Sequence, residues 1–514
     1  MRKQVLSALA FCSALGIAQA QTDVTKEYLV NPSFETLKAA DGTTDVAVKT
    51  KLESGLYGWE ISKLLDNQFS NYQVESEASG SSTGIPANGI IKPSQGEFYY
   101  FNRQGWGNVD GSELKTSTSK NLPIGTYYAV IDYKAADFSN NNDASKSGTT
   151  IGIKAENATN ELLGENTAVR RAYSTLTSNS DPYMVNAAWN ELGTMFTVTE
   201  PTTVTISLVQ NMKNSGRSDI AWDNLRLYQI ENVSENKPMD VSGLITTSNY
   251  YALGGWNIEG GNTFQVNTWS TEGEKDGSGM TTPFIQDHVG KENKAANATI
   301  SHTVNHLIPG IYEVSGLIRV LNEAGGDTPS GATLYANEGS TNACNGNPCT
   351  NGVYGTYTVK GTVGTDGVLT FGIKVANANF NWVSFKNFKL QYLGAASIEQ
   401  LQATLKEKIE EAKAYVENCP KGIAAIVNAA ITQGDNAQPT EESLNAAIAA
   451  LTQAIALAEE TAPATEAFKT LMATCQGYAG HSSAEESVKQ AFQKAMSDAQ
   501  AALDAATTAE AIQE

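Results

Sequence analysis

Residues 219–230 read DIAWDNLRLYQI. Ile220, Trp222, Leu225, Leu227 and Ile230 fall among polar residues in near alternation, with one irregular step beside Asp223, which is the pattern of a half-buried strand. Farther along, residues 381–393 read NWVSFKNFKLQYL, repeating the order aromatic, Asn, apolar, basic, Leu, Tyr. Upstream of each copy lies another shared phrase, LPIGTYYAVIDY at 122–133 and LIPGIYEVSGLI at 307–318. A Pro/Gly turn feeding a long strand, then an aromatic-rich closing strand, is used twice in the same order. The chain is organised around a duplicated β-domain.

Working outward to the ends, Met1–Ala20 has the form of a secretory signal. Arg2 and Lys3 make a charged start, Val5–Ile17 an apolar stretch, and Ala18-Gln19-Ala20 a small-x-small cleavage site. Cys12 raises lipoprotein processing as an alternative, but Phe11 is too bulky for a lipobox and cleavage there would split the apolar stretch. Export to the periplasm, cell surface or medium is expected. No other stretch approaches the ~18 apolar residues of a membrane span. A net charge of −20 argues against nucleic acid or an anionic membrane as partner and leaves neutral ligands open. With 514 residues the chain exceeds one core. Gly, Thr, Asn, Tyr and Val dominate before residue 395, and Ala, Glu, Gln and Lys after it. The expected organisation is a signal at 1–20, β-sandwiches at 23–232 and 237–394, and a helical bundle at 397–514.

Four cysteines follow the signal. Cys344 and Cys349 bracket NGNP, a turn that brings two strand ends within disulfide reach. Cys419 and Cys475 both lie in the helical tail. In an oxidising compartment two disulfides are the expectation, with separate buried thiols as the alternative for the tail pair.

In the first β-module, Tyr28–Glu35 (YLVNPSFE) reads as a short strand running into an Asn-Pro turn. Further short runs, among them Phe98–Asn102, Tyr127–Lys134, Val204–Gln210 and Ile220–Ile230, are separated by Gly, Asn, Asp and Ser clusters. Many short alternating runs predict an antiparallel sandwich. The phrases NPSFE, GW at 58–59, LPIGTYYAVIDY and AWDNLRLY together resemble the galactose-binding-like jelly roll of carbohydrate-binding modules. They are similar in particular to xylan- and glucan-binding modules that open on N-x-x-FE and close on a D-N-x-L type phrase. That resemblance implies a structural calcium, held at the matching positions Glu35 and Asp223 with backbone carbonyls. Calcium takes six to eight oxygens, so carboxylates on the first and last strands would tie the domain's ends together. The alternative is that Asp223 makes turn hydrogen bonds and Glu35 is solvated.

Sugar capture needs exposed aromatic rings against the C–H face of a pyranose, with amides and charged groups for its hydroxyls. Trp106, flanked by glycine in a polar loop, is the first-module candidate, with Asn102, Arg103, Gln104 and Asp110 around it. Trp59 and Trp222 match core positions of the resembled family. Tyr99 and Tyr100 alternate, so one faces inward and one outward. In the second module Trp269 sits in the polar loop NTWSTEGEKDGSGM, and His288 is a further candidate for a sugar hydroxyl. Trp382 reads as core. Lys386 stands where the first module has Asp223, and no N-x-x-FE phrase opens this copy, so the calcium expectation does not extend to it.

No pair of distant carboxylates, G-x-S-x-G, H-E-x-x-H or phosphate loop is found. The modules read as binding sites without chemistry. The tail shows apolar residues at helical spacing: Ile398, Leu401, Leu405 and Ile409, then Leu444, Ile448, Leu451 and Ile455, then Val488, Phe492, Met496 and Leu503. Ser397 with Gln400 forms a capping-box pattern, and Pro420 and Pro463 read as helix ends. This is a small antiparallel bundle, a spacer or protein-contact module. The sequence thus predicts a secreted non-catalytic carbohydrate-binding protein, with an adhesion protein or an accessory part of a glycoside hydrolase as alternatives.

Overall fold

The computed structural model describes residues 21–63, 71–77, 92–104, 109–138, 150–169, 189–212, 217–246, 255–260, 264–267, 284–325, 328–343, 352–479, 485–508 and 511–512. These are antiparallel β-sheets followed by helices. The first sandwich comprises β1 (Gln21–Asp23), β2 (Gly55–Leu56), β3 (Trp59–Lys63), β4 (Asn71–Ser76), β5 (Phe98–Gln104) and β6 (Val109–Ser117). It continues with β7 (Gly125–Phe138), β8 (Thr150–Asn157), β9 (Leu162–Val169), β10 (Asn190–Val198), β11 (Val204–Met212) and β12 (Arg217–Ile230). One sheet runs β10-β7-β12-β5-β4, with β1 on the edge of β12, and the other β2-β3-β6-β11-β8-β9.

The second sandwich comprises β13 (Met239–Asp240), β14 (Trp256–Gly260), β15 (Gln265–Asn267), β16 (Phe284–His288), β17 (Ala298–Val304) and β18 (Gly310–Leu321). To these it adds β19 (Ala332–Ala336), β20 (Gly339–Asn342), β21 (Gly355–Val363), β22 (Leu369–Val375) and β23 (Trp382–Tyr392). Its sheets run β15-β16-β23-β18-β21 and β14-β17-β22-β19-β20. Apart from β2, which has no counterpart, this is the strand order of the first sandwich. The duplication read from two short phrases extends to both sheets.

The shared phrases sit at matching points of strain. Asn224 and Asn387 both adopt φ 54, a left-handed step that asparagine tolerates better than other residues. This is the irregularity in DIAWDNLRLYQI, where the β12–β7 register shifts between Asp223 and Arg226. Gly58 and Gly255 both have φ 84, and a Cβ at Gly58 would meet the Val30 carbonyl at 2.3 Å. The tyrosines that follow the Pro/Gly turns are both buried, and each hydroxyl donates to a carbonyl four residues back. Tyr127 reaches Pro123 and Tyr312 reaches Ile308, each at 2.9 Å.

The first core is aromatic: Phe34, Trp59, Tyr72, Tyr100, Tyr127, Phe196 and Trp222 are buried in one cluster. Trp59 stacks on Phe34 at 4.8 Å and donates Nε1 to the Asn31 carbonyl at 2.8 Å. Both Trp59 and Trp222 are thus structural. The opening phrase, expected to be a strand, instead follows a single helical turn, α1 (Thr25–Tyr28), and runs through positive φ at Asn31 and Phe34. Asn31 drives this by clamping Thr36 from both ends of its amide, and β1 takes the edge position. Met239 and Asp240 pair with Tyr392 and Gln391.

The tail forms α2 (Ile398–Val416), α3 (Lys421–Asp435), α4 (Glu441–Ala479) and α5 (Glu486–Ala505). The Ser397–Gln400 capping box forms with both bonds present. Leu401, Leu405, Ile409, Ile423, Val427, Leu444, Ile448, Leu451 and Ile455 make its core. Pro463 does not end a helix, as its sequence context suggested, but lies inside α4. Pro463 is exposed and lies between Ala462 and Ala464, strong helix formers, so its ring is not forced into the packed face of the helix. The expected Cys419–Cys475 disulfide is not formed and both thiols are free. Both are half-buried, and burial raises the Cys419 thiol pKa. Cys344 and Cys349 lie outside the described residues.

Among the described residues no helix is long and apolar enough to cross a membrane. The chain divides into two compact units: 1–255 with 265–286 and 386–394, and 256–264 with 287–385 and 395–514. The cut falls inside the second sandwich.

Candidate functional site

The first site is organised by the segment Lys92–Phe98 that leads into β5. Asp223 on β12 accepts through Oδ2 from the amides of Ser94 (2.8 Å) and Gln95 (3.0 Å). Glu35 accepts from the amides of Glu97 (3.1 Å to each oxygen) and Phe98 (3.2 Å). Gly96 lies so close that a Cβ there would come within 2.2 Å of the Glu35 carboxylate. Ser33 adds a bond from Oγ to Gln95 Oε1 at 2.5 Å. The two carboxylates from opposite ends of the domain therefore grip neighbouring amides of one loop.

That loop places the polar side of the sheet. Ser94 Oγ donates to Asp132 Oδ2 at 2.7 Å, and Asn224 Nδ2 donates to the same oxygen at 3.0 Å. Arg226 then bridges Asp132 (2.6 Å) and Glu191 (2.8 Å). Burial pushes the Glu191 carboxyl above its ordinary value, against the pull of Arg226. The Lys92 carbonyl accepts from Trp189 Nε1 at 3.0 Å. Trp189 is half-buried, with Tyr99 at 6.2 Å edge-on and Lys134 Nζ 5.3 Å from its centroid. Beside it opens a cavity of about 380 Å³ lined by Asp132, Trp189, Asn190, Glu191, Arg226 and Ser242. An indole with anchored N–H and a rim of charged and amide groups can take a sugar ring on its face and hydroxyls at its edge.

β5 alternates as expected. Tyr100 joins the core against Phe34 at 5.7 Å. Tyr99 points to the other face, where its hydroxyl donates to Glu75 at 2.7 Å. The same alternation corrects the reading of Asn102. It is buried between the sheets, donating to Gln210 (2.7 Å) and Ser112 (3.2 Å), and offers nothing to a surface ligand. Arg103 pairs with Asp219 and Asn71 in register, and Asp110 lies on β6; their side chains, like Trp106 and Trp269, lie outside the described residues.

The calcium expectation can be tested on Asp223. The residue is fully buried, its Oδ1 has no hydrogen-bond partner, and burial pushes its carboxyl up to about 7. An orphaned anionic oxygen of this kind fits a hard cation. Among the described residues no three Asp, Glu, His or Cys side chains converge on one point, so the remaining oxygens would be main-chain carbonyls or water.

The second module has a different arrangement. Trp382 is buried, with His288 stacked at 4.4 Å and the Arg319 guanidinium 4.6 Å from its centroid. His288 Nε2 bonds Glu323 at 2.9 Å and Asn381 Nδ2 donates to the same carboxylate at 2.7 Å. These bonds, the one from His288 first, lower the Glu323 pKa. His288 is therefore part of a packed aromatic–ionic cluster. Sequence reasoning does not single out Asp132, Glu191 and Arg226, and it leaves Trp189, between Ala188 and Asn190, open as either core or ligand-facing. The signal available was charge at outward parity: Asp132 and Arg226 alternate with core residues Ile131, Tyr133, Leu225 and Leu227.

No protein-family model and no curated protein matches the chain. Among solved structures, it is similar to the tandem CBM22 domains of Xyn10C from Paenibacillus barcinonensis. Identity there is 10%, coverage 74% of this chain and 99% of that one, and the TM-score 0.21. It is also similar to TmCBM61 in complex with β-1,4-galactotriose (14%, 39% and 97%, TM-score 0.23). A third is an apo cyclase from Fischerella sp. (15%, 40% and 96%, TM-score 0.26). At such values the fold assignment rests on the strand order above.

Proposed function

We propose that the protein is an exported, non-catalytic carbohydrate-binding protein whose first sandwich captures neutral glycan at Trp189. The observation that carries this reading is the half-buried indole at the rim of the cavity formed by Asp132, Asn190, Glu191 and Arg226. A sugar ring stacks on Trp189, and its hydroxyls exchange bonds with the Asp132–Arg226–Glu191 chain. Trp106 and Trp269 belong to the same proposal as additional stacking residues. Asp223 and Glu35 would hold a structural calcium, whose double charge would neutralise the buried carboxylate and stiffen the loop whose Lys92 carbonyl anchors the Trp189 indole.

A glycan array tests this. Wild-type protein should bind a neutral glycan, and Trp189→Ala should weaken that binding, with Trp106→Ala and Trp269→Ala reporting the loop contributions. Array-wide silence of the wild type would sink the reading. Exposed Leu471, Tyr478 and Val488 on the tail helices favour a second role, contact with another protein.

A further inference from the structure

Within the second compact unit, the outer face of the β14-β17-β22-β19-β20 sheet and helices α2 and α4 enclose a cleft of about 420 Å³. The β17 residues that line it, Thr299, Ser301 and Thr303, alternate with Ala298, Ile300 and Val304, which are buried. The hydroxyl row is thus fixed by strand parity. It continues across the sheet, where Thr303 and Thr370 bond at 2.9 Å. Tyr335 adds an aromatic ring to the same wall. The helices close the other side with Thr404, Thr452 and Ile455.

The closure is specific. Thr362 and Thr404 hydroxyls bond at 3.1 Å across the junction, and a Cβ at Gly364 would make ordinary contact with Ile448 at 3.7 Å. Glu338, in the turn between β19 and β20, accepts from the Thr362 amide at 2.9 Å through Oε1. Its Oε2 is buried without a partner.

The cleft's charge decides what it can hold. Glu259, Glu338, Asp366, Glu411 and Glu459 line it against one cation, Lys408, which is tied to Glu411 at 2.8 Å. An anionic ligand is therefore repelled. The carboxylates are spread over the walls, and no three described acidic, His or Cys groups gather to hold a metal ion. Hydroxyls that both donate and accept, carboxylates that accept, and a ring face together suit a neutral polyhydroxylated molecule. The volume falls within the range of small-molecule sites.

We propose that this cleft is a second saccharide site, built jointly by the second sandwich and the helical tail, which takes neutral sugar units and rejects uronic acids. The inference rests on the carbohydrate-binding reading but not on Trp189. Calorimetric titration of the full chain with xylo-, cello- and galacto-oligosaccharides, and with oligogalacturonates as the charged counterpart, tests it. Trp189→Ala should leave residual binding to a neutral sugar, at least tenfold weaker for the oligogalacturonate. Adding Ala456→Trp, at an exposed cleft-lining position on α4, should remove that residue of binding without lowering the unfolding temperature. Thr452→Phe should act in the same direction from the next helical turn. If Trp189→Ala alone abolishes all binding, or residual binding ignores both occluding variants, the cleft holds only water and the inference falls while the first site stands. If the wild type binds none of these sugars, both fall together.

Discussion

The two sandwiches share a scaffold and differ in what they build on it. Strand order, the glycines at φ 84, the asparagines at φ 54 and the hydrogen-bonded tyrosines are common to both. Register then identifies counterparts. Trp189 precedes the strand residue that pairs with Tyr133, and Tyr354 occupies that place in the second copy, its hydroxyl bonded to Ser384 at 3.0 Å. Asp132, Glu191 and Arg226 correspond to Leu317, Thr356 and Lys389, so the charged chain beside the cavity has no equivalent. Lys134 corresponds to Arg319, and each lies over an indole, but the second indole is Trp382, from the position of Asp219. The same cationic position thus supports an open ring in one copy and a covered ring in the other. A duplicated fold retains its strained turns because they set the path of the chain, while the outward sheet face is free to change.

The largest expected effect separates these two indoles. Trp382→Ala removes a buried side chain packed against His288 and Arg319, and should cost about 3–5 kcal/mol of stability with glycan affinity unchanged. Trp189→Ala should do the reverse, costing about 2–4 kcal/mol of binding, roughly 30- to 1000-fold in Kd, with a small change in unfolding temperature. Affinity loss in Trp382→Ala equal to that in Trp189→Ala would break the contrast.

Asp223 against Lys386 gives the next effect. The folded-state pKa of about 7 lies above the ordinary aspartate value near 3.9. The folded protein keeps a proton that the unfolded chain has released. Stability from this group is therefore fully present below about pH 4 and is lost as pH rises through about 7. In EDTA the span is roughly 4 kcal/mol. Asp223→Asn should flatten the difference between pH 5 and 8, measured by chemical denaturation. Millimolar calcium should restore the wild type at pH 8 and leave Asp223→Asn unmoved; equal calcium effects on both would remove Asp223 from any metal site.

How much of this was legible in the sequence follows from what each feature depends on. Alternation in 219–230 and its echo in 381–393 exposed both sandwiches, because strand parity is local. The Lys386-for-Asp223 difference was legible for the same reason. Asn102 was misread because polarity was taken for exposure, whereas its partners Ser112 and Gln210 come from the opposite sheet. Strands β4, β6 and β9 were missed, since VDGSELKTS and LLGENTAV carry little apolar periodicity and form through their neighbours. Trp189 was left undecided, because its cavity is assembled from β7, β10, β12 and the loop before β5. Pro463 was read as a break because a proline's local effect outweighs its exposure in any one-dimensional reading.

The smallest effect concerns what the modules share. Tyr127→Phe and Tyr312→Phe each delete one hydroxyl that donates to a carbonyl four residues upstream while leaving a buried ring in place. A neutral hydrogen bond of this kind contributes about 0.5–1.5 kcal/mol. Each variant should therefore lower stability by about 1 kcal/mol in denaturant titration, with glycan affinity untouched in both. The carbonyls belong to Pro123 and Ile308, in the turns that open the long central strands, so the lost bond loosens strand entry rather than the outward face. If Tyr127→Phe weakened glycan binding, the turn and the Trp189 cavity would be mechanically joined across the sheet. Division of labour between a common scaffold and a private binding face would then have to be abandoned for the first module.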